Sequence, residues 1–140
     1  MNNLLGKLNY KRQKRISIIN AEEKFINSIA LDLDHVTIDQ KIDPRYPYEF
    51  ILIFVKSISE VEQAAPITIH NLIADGILWF CFPKKTSKKF SSDLSRDFGW
   101  KVLNDAGLEG IRIVSIDKDW SAFRFRNRKF IKSASERFNK

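Results

Sequence analysis

Two six-residue runs, Phe50-Ile51-Leu52-Ile53-Phe54-Val55 and Ile77-Leu78-Trp79-Phe80-Cys81-Phe82, constrain this chain more than any other feature. Each is apolar at every position, so neither has a face to give to water. Successive side chains point to opposite sides of a strand, and a strand apolar throughout must therefore be covered on both sides. A parallel sheet between two helical layers provides that environment. Both runs fall well short of the roughly 18 apolar residues that a membrane helix needs, and no membrane partner is expected.

The segments around the two runs fit the same plan. Ile16 to Ile19 reads as a short strand, with Asn20 as the N-cap of a helix, Glu23 completing a capping box, and Phe25, Ile26 and Ile29 on its apolar face. Val36-Thr37-Ile38 reads as a second strand, followed by the loop Asp43-Pro44-Arg45-Tyr46-Pro47. Ser57 or Ser59 caps a helix carrying Val61, Ala64, Ala65, Ile69, Leu72 and Ile73, which Pro66 is expected to kink or restart and Asp75-Gly76 to stop. Beyond Pro83 and the loop Lys84 to Lys89, a helix is expected from Ser92 or Asp93 to Gly107, with Leu94, Phe98, Val102 and Leu103 on one side. Ile111, Ile113 and Ser115-Ile116 form a strand, Asp117 to Trp120 turn it, and Ser121 to Arg126 alternate as the second arm of a hairpin. The order predicts an α/β three-layer sandwich: a mostly parallel, Rossmann-like sheet with a C-terminal antiparallel hairpin. Residues 1–126 form one α/β domain, with a short N-terminal helical segment built on Leu4, Leu5 and Leu8. Residues 127–140 form a basic helix or tail.

Composition adds exclusions. A length of 140 residues suits one domain with one core, and 44% hydrophobic content with 11 Phe, 3 Tyr and 3 Trp excludes a disordered chain. The single Cys81 excludes an internal disulfide framework and points to a reducing compartment, the cytoplasm; no secretory signal is read at the N-terminus. The net charge of +7 is uneven: residues 1–20 hold five basic groups and no acid, residues 21–82 four basic and ten acidic groups, and residues 120–140 seven basic groups against Glu136 alone. Cationic ends could attract phosphate-bearing partners or pack over the anionic middle.

Several stretches carry a resemblance: Leu5-Gly6-Lys7-Leu8, Ile18-Ile19-Asn20-Ala21, Asp75-Gly76-Ile77-Leu78-Trp79 with Pro83-Lys84, Ser92-Asp93-Leu94, Ala106-Gly107-Leu108, and Asp119-Trp120-Ser121-Ala122-Phe123-Arg124. Together they resemble a bacterial family of small proteins known only as a domain of unknown function. The strand order in turn resembles a truncated S-adenosylmethionine-dependent methyltransferase fold, its final hairpin included. The resemblance implies an architecture and no particular activity.

In an open α/β sheet, ligands sit beyond the carboxyl ends of the strands. That rim is expected to present Asn20, Lys56, Ser57, Pro83, Lys84, Lys85 and Ser87. Nucleotide and methyl-donor folds place glycines at the first strand-to-helix bend, where the backbone must approach the ligand closely. Here the bend reads Asn20-Ala21-Glu22-Glu23-Lys24, and no glycine occurs between Gly6 and Gly76. Two carboxylates at a helix start also repel a phosphate. The expected function is accordingly non-catalytic: an anionic small molecule or a protein partner held at the rim of a degenerate nucleotide fold, with no cofactor.

One alternative is a nucleic-acid-binding accessory protein using Lys11, Arg12, Lys14, Arg15, Arg124, Arg126, Arg128 and Lys129, basic groups that near the C-terminus interleave with Phe123, Phe125 and Phe130. Plain strand alternation, with Phe inward and Arg outward, explains that spacing equally. Another is a divergent methyltransferase-like enzyme at the same rim. No catalytic or metal-binding residues are assigned. His35 and His70 have no partner at metal-ligand spacing, Cys81 lies in an apolar strand, and Asp117 and Asp119 flank a turn, where aspartates ordinarily bond their own backbone.

Overall fold

A computed structural model describes residues 4–131. Its sheet has six strands: β1 (Arg15–Ile19), β2 (Thr37–Asp39), β3 (Tyr48–Phe54), β4 (Leu72–Pro83), β5 (Leu108–Ser115) and β6 (Trp120–Asn127). They lie in the order β2-β1-β3-β4-β6-β5. The first four are parallel, and β6 runs antiparallel to both β4 and β5. The helices are α1 (Leu4–Lys7), α2 (Glu23–Ala30), α3 (Ile58–Asn71) and α4 (Lys101–Asp105).

The alternation within the apolar runs builds two cores. Ile51, Ile53, Leu78 and Phe80 join Phe123 and Phe125 on one face, covered by Val61 and Ala65 of α3 and Leu103 of α4. Phe50, Leu52, Phe54, Trp79 and Cys81 point to the other face, covered by Leu5 and Leu8 near α1 and Ile29 of α2. The chain is thus the three-layer α/β sandwich its doubly apolar strands require. No helix among the described residues is long and apolar enough to cross a membrane.

Four local expectations are corrected. Asn20 is not a helix cap: it adopts a left-handed φ of 61°, and the N-cap is Glu22, whose side chain makes no capping bond. Asn is one of the few non-glycine residues that tolerate this region, so it turns the chain at the bend where nucleotide folds place a glycine. Pro66 neither breaks nor restarts α3, which runs through it. Pro66 and Glu62 are both exposed, so water can replace the bond that the missing N–H would have made to the Glu62 carbonyl.

Asp75-Gly76 does not stop a helix either. The helix ends at Asn71, and Leu72 already pairs with Tyr48. The next pairing is Phe50 with Ile77, so the extra residues bulge out, and Asp75 takes a φ of 54° within the bulge. The helix expected from Ser92 or Asp93 shrinks to α4. Gly99 takes a φ of 109° with Leu94 packed where a Cβ would stand, and Trp100 Nε1 donates to the Ser95 carbonyl at 2.7 Å. This tight turn places Leu94 and Trp100 in the core, which a continuous helix could not do. The expected C-terminal helix or tail lies mostly outside the described residues; Arg128–Phe130 make one 3-10 turn.

Candidate functional site at the carboxyl-end rim

The carboxyl ends of β1, β3 and β4, together with the turn into β6, form one rim. At β1, Asn20 Nδ2 donates to the Phe54 carbonyl at 3.3 Å and ties the first bend to the end of β3. Glu22 then turns inward. Its carboxylate accepts Lys89 Nζ at 2.8 Å and Trp120 Nε1 at 3.4 Å. The Lys89 hydrogen bond is the main reason that the Glu22 carboxyl lies below the ordinary carboxylate range, against its partial desolvation. The same contact raises the Lys89 ammonium.

The loop after β4 is folded back over this bend. Lys84 N donates to the Asp119 carbonyl at 2.8 Å, and Ser87 Oγ donates to Asp119 Oδ1 at 2.8 Å while accepting the N–H groups of Lys89 and Phe90. Those bonds fix Phe90 against Trp120, with ring centroids 5.1 Å apart. Trp120 packs edge-on to Phe54, and Phe54 to Phe25, each at 5.0 Å. Lys56 Nζ stands 4.7 Å from the Phe90 ring centre. Aromatic side chains and the Glu22–Lys89 pair therefore wall the space beside the first bend.

The expected rim residues are thus brought to one edge, but most are engaged. Ser57 caps α3 by accepting Glu60 N at 3.1 Å, Pro83 closes β4 opposite Trp120, and Lys84 Nζ donates to Ser115 Oγ at 2.6 Å. Lys85 is exposed. The side chains around the neighbouring open cleft are others: Lys24, Thr86, Lys88, Lys89 and Lys118, with Asp119 as the single carboxylate among the described lining residues, around about 460 Å³. Lys24 comes from the first turn of α2 and Lys118 from the hairpin turn; only the Lys84 to Lys89 run signalled this cleft in the sequence. A second cleft of about 410 Å³ has an aromatic floor of Phe25, Phe54 and Trp120 beneath Glu22, Lys24 and Asp117.

Asp39 was not singled out from the sequence, although it ends β2 about 20 residues after the bend, where dinucleotide folds keep a carboxylate for ribose. Here it is occupied: Arg15 Nε donates to Oδ2 at 2.7 Å, and the Tyr48 hydroxyl donates to the same oxygen. Arg15 also reaches Asp43 at 3.2 Å and lies 4.2 Å from the Tyr46 ring centre.

The alternative basic set is dispersed, mostly at the opposite, amino-end side of the sheet, with Arg124 at mid-sheet. Lys11, Arg12 and Lys14 are exposed. Arg124 is buried beside Trp79, with Nε unpartnered; desolvation, then the charges of Arg126 and Arg112, lower its pKa, opposed by Asp75. Arg126 makes a two-pronged pair with Asp75 at 2.7 and 2.8 Å. Arg128 bonds Glu109 and the Asn104 carbonyl, both at 2.7 Å, and Lys129 lies over Phe130. The turn aspartate Asp117 accepts the backbone N–H groups of Asp119 and Trp120, and burial pushes the Cys81 thiol well up. No group of three metal-ligating side chains occurs among the described residues.

No family model and no curated protein matches this chain. Among solved structures it is similar to a SAM dependent methyltransferase from Aquifex aeolicus, with a TM-score of 0.57 at 14% identity over 88% of this chain and 87% of that one. The N-methyltransferase NodS from Bradyrhizobium japonicum WM9 gives 0.48 at 18% identity over 81% and 74% of the two chains. A chain of a fibrillarin/Nop5p complex gives 0.49 at 6% identity over 84% and 74%. The first supports a methyltransferase-like fold. At such identities the likeness concerns architecture.

Proposed function

We propose that this chain is a non-catalytic cytoplasmic protein that binds a small phosphate- or carboxylate-bearing molecule in the lysine cleft of the carboxyl-end rim. The observation that carries the reading is the convergence of Lys24, Lys88, Lys89 and Lys118 from three segments on one cleft, with the Thr86 hydroxyl beside them. Asp119, the one carboxylate there, already accepts the Ser87 hydroxyl, and Lys89 is half-committed to Glu22. The excess positive potential suits an anion.

Inorganic phosphate, pyrophosphate and ATP, compared with chloride at equal ionic strength, test this by thermal unfolding. A ligand at about 100 times its Kd stabilises by about 2.7 kcal/mol, a rise of roughly 5–10 °C for a chain of this size. Lys24→Ala with Lys118→Ala should abolish the rise and leave the unliganded melting temperature nearly unchanged. A flat response across the panel refutes the reading.

The fold likeness favours a second reading, a divergent methyltransferase-like enzyme. Its place would be the cleft of about 410 Å³ beside the first bend, against one side of which the Lys84–Phe90 loop packs through Lys89 and Phe90. Calorimetry with S-adenosylmethionine separates the two readings, because only the second expects binding that Lys118→Ala leaves intact. The nucleic-acid alternative has less support, since Arg15, Arg126 and Arg128 are held by carboxylates and Arg124 is buried.

A further inference from the structure

We infer that the outer edge of β5 is a docking strand for an extended segment of another protein carrying alternating apolar and acidic side chains. The surface lies at the far edge of the sheet and is independent of the lysine cleft. Strand β5 is terminal in the sheet among the described residues, so one row of its backbone N–H and C=O groups faces away from β6. Gly110, Ile111, Arg112 and Ile113 are all exposed, and Phe98 beside them is 62% exposed.

Two adjoining clefts, of about 320 and 460 Å³, run along this edge and share Arg96, Gly110 and Phe123. Gly110 makes the groove possible. A Cβ there would stand 2.3 Å from the Phe123 ring, so the missing side chain lets that ring lie flush under the strand as an apolar floor. An incoming strand can therefore pair with the β5 backbone and seat apolar side chains between Phe98 and Phe123.

Charge selects the occupant. Neither Arg96 nor Arg112 has an ion-pair partner among the described residues, whereas Arg126 and Arg128 nearby are paired. The smaller cleft, which holds Arg96 and Arg112, has no carboxylate among its described lining residues; the larger one has two, Glu109, which is bound to Arg128, and Asp97, set against Arg96 and Lys101. A second copy of β5 is the poorer fit. Antiparallel self-pairing about the middle of the strand would bring two Arg112 guanidinium groups close together, and the irregularity between Gly110 and Arg112 breaks the register such a pair needs. A partner strand bearing carboxylates meets neither obstacle: its acidic face bonds Arg112, which shares a face with its register partner Arg124, while Arg96 beside the groove adds to the positive potential that draws it in.

The probe is a fluorescein-labelled peptide of alternating Val and Asp, about eight residues long to match a strand, compared with its Val-Lys counterpart. Polarisation reads affinity, and amide chemical shifts read position. The Val-Asp peptide should bind, with perturbed amides concentrated in residues 108–115. Arg96→Glu with Arg112→Glu should weaken it at least about tenfold, equal to about 1.4 kcal/mol, and favour the Val-Lys peptide, while Arg96→Lys with Arg112→Lys keeps the preference. Both positions are exposed, so the fold should survive the substitutions. Equal binding of the two peptides, amide changes elsewhere, displacement of the peptide by a short RNA, or a dimer in solution that the charge reversal dissociates would each overturn the inference.

Discussion

Trp79→Phe tests how the N-terminal segment is held on the sheet. The indole is fully buried, and its Nε1 donates to the Leu8 carbonyl at 2.8 Å, a bond spanning 71 positions of sequence. Phenylalanine keeps an aromatic ring but removes the donor, leaving the Leu8 carbonyl buried without that partner. Such an orphan costs about 1–3 kcal/mol. The lost volume adds a part of the roughly 3–5 kcal/mol that complete removal of a buried aromatic costs. The expected total is roughly 2–4 kcal/mol, or about 5–15 °C in Tm for a chain of this size.

Urea unfolding followed by far-UV circular dichroism measures it without relying on tryptophan emission. Trp120→Phe is the internal comparison: its Nε1 reaches Glu22 at a longer 3.4 Å, and Glu22 also holds Lys89, so the loss should be smaller by about 1 kcal/mol or more. If Trp79→Phe costs less than about 1 kcal/mol, or no more than Trp120→Phe, the anchoring role assigned to the Leu8 bond is wrong. Amide exchange in residues 4–10 should also quicken more in the Trp79 variant than in the Trp120 variant.

Gly110→Ala forces a Cβ to within 2.3 Å of the Phe123 ring and should destabilise by about 1–3 kcal/mol in thermal unfolding; a neutral result would mean that the ring swings aside freely. Ser57→Ala removes the hydroxyl that accepts Glu60 N at the start of α3 and should cost about 0.5–2 kcal/mol, with Ser57→Asp restoring most of it. The Asp75 carboxyl is held below its ordinary range chiefly by the hydrogen bonds from Arg126. A carboxyl depressed on folding stabilises fully above its unfolded pKa, near 4, and that contribution disappears as pH falls through the lower folded value. Urea midpoints taken from pH 7 down to pH 3 should therefore fall more steeply for the wild type than for Asp75→Asn, and identical slopes would remove Arg126–Asp75 from the account.

The apolar runs around Leu52 and Trp79 dictate a sheet covered on both faces because no other placement hides both sides of each strand. The alternation of Phe123 and Phe125 with Arg124 and Arg126 marks the returning arm of the hairpin for the same local reason. Those patterns also locate the rim, since chain direction alone says which loops follow the carboxyl ends of strands. Where local signals conflicted, packing decided: Asp93, read as a helix start, caps no helix of its own and instead accepts Ile58 N at 2.8 Å, while Gly99 turns Trp100 into the core.

Which charges meet was set by strand order. Glu22 finds Lys89 across 67 positions, Asp75 finds Arg126 across 51, and Lys24 shares a cleft with Lys118. Periodicity reports whether a side chain faces inward or outward within its own element, but it carries no information about a neighbour contributed by a distant strand. Arg124 shows the limit most clearly: its position in the alternation reads as solvent-facing, yet it lies beside the buried Trp79 on a covered face of the sheet and is itself buried.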